Sequence, residues 1–155
     1  GRAGADATGQ LTNRPLAGSS HGAEQVPYGT NRPTSGNHSD NAALDGFYEA
    51  ANEPEPENVV HALEHGRIVF QYKPGTPANR VAQLETLASE ELNGLPGYKT
   101  LLLQNNTKMT DAVAATAWGH AINCKTFNDS VFDALRAFRI QYVDKAPENV
   151  PPTNG

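Results

Sequence analysis

Sulfur-containing side chains are almost missing from this chain: among its 155 residues, one cysteine, Cys124, and one methionine, Met109, are the whole supply. A single cysteine excludes an internal disulfide, and it excludes a zinc module built from several cysteines. The scarcity of both residues fits an exported protein. Because the only methionine is internal, the sequence predicts that an N-terminal segment, such as a signal peptide or a membrane anchor, has been removed.

The chain also lacks a run of basic residues and a long hydrophobic run. Its net charge is −5 and aromatic residues make up 7% of it, which argues against nucleic acid as a partner. The longest apolar stretch, residues 112–119, is well short of the roughly 18 residues that cross a bilayer.

The length suits one domain with a core of its own. Residues 1–20 are rich in small and polar residues, so they are expected to form a flexible tail. Residues 146–155 are expected to form a Pro-rich C-terminal tail. The domain between them, residues 21–145, is expected to begin with a long loop-rich segment that reaches to about residue 58.

Hydrophobic periodicity predicts an α+β fold from residue 59 onward. The predicted elements are a helix over 59–65, a strand over 68–72, a helix from 77 to 92, strands over 100–104 and 113–118, and a helix from 128 to 142. They would form a small mixed sheet of about three to four strands flanked by helices. The β-α-β-β-α order resembles half of a thioredoxin-like sheet.

The strongest chemical signal is the string His61-Ala-Leu-Glu64-His65. In a helix, the i, i+4 spacing places the two imidazoles on one face with Glu64 beside them. Neutral imidazoles are the commonest protein ligands of zinc and copper. His38, in the turn-rich loop Pro-Thr-Ser-Gly-Asn-His, is the candidate for a third ligand.

Other interpretations of this string stay open. His-x-x-Glu-His also matches an inverted zinc-protease motif, but Gly66 is expected to end the helix too early for one. The two histidines could instead be core or capping residues. Glu64 could orient a histidine, act as a general base, or simply lie on an exposed helix face.

Three further residues bear on the identity of the metal. Met109 lies in a polar turn, and a thioether ligand favours copper, especially Cu(I), with zinc as the alternative. His120 is a reserve ligand. Cys124 is four residues later on the same face of an extended chain and is expected to be a small buried residue.

The sequence therefore predicts an exported metal-binding protein, with copper held by His38, His61, His65 and Met109 for capture, delivery or redox chemistry. Its partners would be the metal ion and a membrane or periplasmic protein. One alternative is a mononuclear metal-dependent oxidoreductase or hydrolase with Glu64 as its base. The other is a metal-free interaction domain.

The chain also resembles the DUF3105 family from about Tyr28 to about Glu148. The resemblance lies in the blocks Pro-Thr-Ser-Gly-Asn-His, Gly-Phe-Tyr, Val-His-Ala-Leu-Glu-His-Gly-Arg-Ile-Val-Phe-Gln-Tyr, Ala-Ala-Thr-Ala-Trp-Gly and Ala-Leu-Arg-Ala-Phe, in that order. It implies a bacterial protein exported behind a signal peptide or a single anchor helix. Since the activity of the family is undefined, the resemblance supports the fold and export more than any reaction.

Overall fold

The computed structural model describes residues 10–13 and 42–153, which form eight strands and three helices. In chain order these are β1 (Gln10–Asn13), β2 (Gly46–Phe47), α1 (Pro56–Glu64), β3 (Ile68–Tyr72), α2 (Ala78–Ala88), β4 (Glu91–Leu92), β5 (Leu95–Pro96), β6 (Thr100–Gln104), β7 (Val113–Ala117), β8 (His120–Cys124) and α3 (Ser130–Tyr142). They build a single α+β domain, as the sequence predicts. None of the helices in this part of the chain has the length and apolarity to cross a membrane.

Six of the described strands form one mixed sheet in the order β1-β8-β7-β3-β6-β2. The strands β3, β6 and β2 run parallel to one another, whereas β7, β8 and β1 are each added antiparallel. Among the described strands, β4 and β5 pair only with each other. From β3 to α3, the predicted strand–helix–strand–strand–helix order is present in β3, α2, β6, β7 and α3, and the short strands β4 and β5 and the strand β8 are added to it.

Alternation along the strands gives the sheet two different faces. On β3, Ile68, Phe70 and Tyr72 belong to the larger core, which includes residues of α2 and α3. Val69 points to the opposite face, where it packs with Leu63 of α1. Helix α1 therefore covers one face of the sheet and α2 with α3 cover the other.

The regular elements agree with the predicted ones where the apolar pattern is strong. The bounds of β3 and β6 are those that the sequence predicts. Helix α2 ends about four residues early because Asn93 and Gly94, both with positive φ, make the tight turn between β4 and β5. The second strand of the last hairpin, β8, was not predicted as a separate element. Gly119, with φ of 77°, turns the chain between β7 and β8.

Part of the predicted flexible tail belongs to the sheet instead. Residues 10–13, expected to lie in that tail, form β1 and pair antiparallel with β8. Pairing at a sheet edge is made by backbone hydrogen bonds, so an edge strand can form without an apolar pattern in its sequence.

The C-terminal segment, which the sequence predicts to be a Pro-rich tail, is hydrogen-bonded to the rest of the domain. The N–H of Glu148 donates to the carbonyl oxygen of Glu64, and that of Val150 donates to that of His65. The last carbonyls of a helix have no partner within the helix, and here residues of the C-terminal segment supply one. Residues 146–153 are thus docked on the end of α1.

A buried ion pair joins this segment to the rest of the domain. Arg67 holds Asp45 in a two-pronged contact, with Nε–Oδ1 and Nη2–Oδ2 distances of 2.8 and 3.1 Å. The two side chains are 3% and 0% exposed. The same guanidinium donates to the carbonyl oxygens of Val150 and Pro151. It therefore ties the chain before β2, the start of β3 and the C-terminal segment together.

We predict that Asp45→Asn lowers the free energy of unfolding by about 3 kcal/mol, because it leaves a buried guanidinium without its counter-charge. Chemical denaturation measures the loss. Asp129→Asn is the matched control, since Asp129 is 95% exposed in its pair with Arg80 and should change stability very little. Equal effects of the two substitutions would contradict the role given to Arg67.

Candidate metal site

Helix α1 has residues at its start and just after its end that favour helix initiation and termination. Pro56 occupies the start of the helix, where its missing N–H costs nothing, and Glu57 puts a negative charge in the first turn. Gly66 follows the helix with φ of 92°, the left-handed conformation that commonly ends one. The helix therefore ends at Glu64, with His61 in its last turn and His65 at its C-terminal cap.

One stripe of α1 is polar and yet buried. Glu57, His61 and Glu64 follow one another at i, i+4 and i+7, so they share a side of the helix. Their exposed fractions are 5%, 5% and 3%. Carboxylates are rarely buried to this degree unless they are paired, and each of the three residues does have an interaction partner. A stripe of this kind is what a buried functional site on α1 would show.

The imidazoles of His61, in the last turn of α1, and of His65, at its C-terminal cap, lie next to each other. The ring centroids of His61 and His65 are 4.4 Å apart and the ring planes meet at 69°. The His65 side chain is 17% exposed, whereas His61 is buried. The predicted adjacency is confirmed, and it puts two nitrogen donors together at the end of α1 that solvent reaches.

The surroundings of His65 favour its neutral form. Burial lowers the pKa of the imidazole below its ordinary value, and the neighbouring His61 lowers it further. Glu148, whose Oε1 is 3.5 Å from Nε2, acts in the opposite sense. A neutral imidazole is the form that binds a metal ion, so no proton has to be removed from it near neutral pH.

The face of the sheet beneath α1 holds a polar group without a partner. Thr116 alternates with Ala115 and Ala117, which belong to the core on the opposite face. Its hydroxyl is buried and makes no hydrogen bond. Buried hydroxyls are normally satisfied, so this one marks a place where a bound water or ligand atom would be favourable.

Met109 is buried at the far end of β3 from His65. Its N–H donates to Oδ1 of Asn105 over 2.9 Å, and Asn105 in turn donates to Gln71 on β3. The loop that carries Met109 lies beside the first turn of α1, where Pro56 and Thr107 line the same small cavity. Of the two imidazoles, His61 is therefore the one on the side of Met109.

The reserve ligand lies on the wrong side of the sheet to join the others. His120 stacks on Tyr142 of α3, with ring centroids 4.1 Å apart. Cys124 is buried in the same core, so the two share a face as predicted. The sheet separates both residues from His61 and His65.

His38 lies outside the described residues. Within residues 10–13 and 42–153, no group of three or more His, Cys, Asp or Glu side chains is arranged to hold a metal ion. The described part of the chain thus contributes the imidazole pair, with Glu64 buried beside it.

Two residues of the site were missed by sequence reasoning. Glu57 could have been found, because it precedes His61 by one helical turn. Glu148 could not, since its approach to His65 depends on the docking of a segment that is far away in sequence.

The fold and the site define a single-domain α+β protein with paired imidazoles on the helix that covers one face of its sheet. A family model described as a protein of unknown function, DUF3105, matches residues 20–154. The chain belongs to this family. No curated protein and no solved structure matches it.

We predict that Thr116→Val leaves the stability of the metal-free protein unchanged or raises it, because no hydrogen bond is lost. Thr100→Val is the matched control: the Thr100 hydroxyl accepts from Arg139 and donates to Tyr98, so its loss should cost roughly 1–3 kcal/mol. Thermal and chemical unfolding measure both. A Thr116→Val protein as unstable as the control would show that the hydroxyl is already engaged.

Proposed function

We propose that this protein binds copper, with His61 and His65 as ligands at the C-terminal end of α1, His38 as a third imidazole and Met109 as a thioether ligand. The observation that carries the proposal is the contact between the two imidazoles at a partly open helix end. The ion would serve copper capture, delivery or redox chemistry. This is the function that the geometry supports best.

The choice of copper rests on the kind of donors. Imidazole suits both zinc and copper, whereas a thioether selects Cu(I). Met109 is buried, and Thr107 of its loop lines a small cavity with Pro56 of α1, so His61 is the imidazole on the side of that loop. A Met109 that contributes sulfur would therefore approach the ion from the side of His61.

We also propose that the protein acts outside the cytoplasm, with a membrane or periplasmic protein as its partner in metal exchange. The scarcity of Cys and Met in the chain supports an exported protein. The 17% exposure of His65 supports exchange, because a partner's donor atom could reach the ion on this side while His61 holds it from within.

We predict that His61→Ala and His65→Ala each lower the affinity for copper roughly tenfold or more, the scale seen even when residues behind the ligands are lost. His38→Ala should do the same. Competition titrations of the metal-free protein with Cu(I), Cu(II) and Zn(II) measure the affinities, and circular dichroism confirms that each variant is folded.

His120→Ala is the matched control, since that imidazole lies on the other face of the sheet and should leave metal binding intact. Met109→Leu should weaken Cu(I) binding and spare Zn(II). Stoichiometric zinc with no retained copper would reject the choice of copper. Full loading of both His61→Ala and His65→Ala would reject the site and favour a metal-free interaction domain.

The burial of Glu64 favours one alternative, a mononuclear metal-dependent oxidoreductase or hydrolase. A carboxylate that is 3% exposed beside two imidazoles has the surroundings of a general base more than of a surface residue.

For that alternative we predict that Glu64→Gln keeps the metal and loses turnover, because the amide cannot accept the proton. Metal content by elemental analysis and rates with model esters and redox substrates measure the two effects. If Glu64→Gln and the wild-type protein have the same rates, Glu64 is not a base.

A further inference from the structure

The C-terminal segment and Asp144, which precedes it, supply partners for consecutive backbone groups at the end of α1. The N–H groups of Glu148, Val150 and Asp144 donate to the carbonyl oxygens of Glu64, His65 and Gly66, respectively. Arg67 also donates to the His65 carbonyl, over 3.0 Å. The backbone that carries the His65 ring is thus held by groups on both sides.

The same docking brings a carboxylate to the His65 ring. Oε1 of Glu148 lies 3.5 Å from Nε2 of His65. That distance is longer than a formed hydrogen bond, which has N···O of about 2.7–3.2 Å, but a small rotation of the carboxylate would close it. The Glu148 side chain is 54% exposed, which leaves room for such a rotation.

We infer that Glu148 is a positioning residue for His65: its carboxylate accepts the Nε2–H, so the lone pair of Nδ1 is the one presented to a metal ion. The role of Glu148 in metal binding rests on the proposed function. The tautomer of His65 does not, because it is a property of the metal-free protein. It makes the C-terminal segment part of the site.

The chemistry of imidazole ligands supports this role. A histidine that binds a metal nearly always donates its other ring N–H to a carboxylate, a carbonyl or a water, which fixes the tautomer and the ring orientation. Glu148 is the acidic residue in contact with the Nε2 side of His65. As a direct ligand Glu148 would complete a group of three with His61 and His65, and the described residues form no such group.

The tautomer can be read directly from the imidazole nitrogen shifts of the metal-free protein, measured by ¹⁵N NMR at about pH 8, where the ring is neutral. The wild-type protein should show His65 with the proton on Nε2. Glu148→Ala should move it toward a mixture of the two forms. A wild-type ring protonated on Nδ1 would overturn the inference, whatever the metal titrations give.

Metal affinity gives the second readout, with Cu(I), Cu(II) and Zn(II) as the probes. Glu148→Ala should lose roughly tenfold or more, within the range for residues that orient ligands, and Glu148→Gln should recover most of the loss because its amide oxygen also accepts. If Glu148→Gln loses as much as Glu148→Ala, the carboxylate is a ligand and the inference fails. A wild-type protein that binds none of these ions rejects the proposed function and leaves the NMR result to decide the tautomer.

Gly66→Ala tests whether the docked segment carries the effect. A Cβ there would lie 2.6 Å from Oδ1 of Asn149 and 3.2 Å from the Cα of Asp144, so the segment would have to shift. Gly75→Ala is the matched control, because it has a similar φ of 89° and no atom within 4 Å of the new Cβ. Gly66→Ala should alter the His65 tautomer and Gly75→Ala should not. An unchanged tautomer in Gly66→Ala would show that docking does not set the ring.

Discussion

The buried guanidinium of Arg67 is the interaction on which the rest of this domain depends. A buried cation is tolerated when a carboxylate and further acceptors surround it, and removing one partner is costly. Asp45 and the carbonyls of His65, Val150 and Pro151 together surround this one. Because these groups come from three separate parts of the chain, the charge is satisfied only when all three are in place. The His65 carbonyl is one of these partners, so the position of the His65 backbone depends on the same contacts of Arg67 that complete the fold.

The two faces of the sheet differ in the size of their apolar cores and in the buried polar groups beside them. The face covered by α2 and α3 holds a large apolar core around Phe70, Leu135 and Phe138, and its buried Arg139 is hydrogen-bonded to Thr100. The face under α1 has a smaller apolar cluster and the unpaired Thr116 hydroxyl, and α1 itself carries the buried Glu57, His61 and Glu64. Buried polar groups reduce the gain from packing unless they are satisfied. A domain with a large apolar core on one face of its sheet can tolerate such groups on the other.

Sequence reasoning succeeded where the signal was local. The apolar residues of β3 and β6, the i, i+4 histidines and Gly66 all report on their own neighbourhood, and their predicted places are confirmed. It failed where pairing is made by the backbone between distant segments. The edge strand β1 and the docked segment around Glu148 are held by N–H and carbonyl groups, which every residue has, so composition predicted tails. The separation of His120 from His61 could not be predicted either, since it follows from which face each element covers.

One short block of the chain, from His61 to Arg67, combines the proposed ligands, the end of the helix and the anchor of the C-terminal segment. An ion bound at His61 and His65 would stabilise the folded state by linkage, because the unfolded chain does not hold the two rings together. The same ion would favour the docked C-terminal segment, since the backbone of His65 accepts from Val150 and from Arg67. Loading and docking would then promote each other, as reciprocal coupling between two sites requires. Metal exchange with a partner would accordingly be easiest where this segment is loosened, at the solvent-facing side of His65.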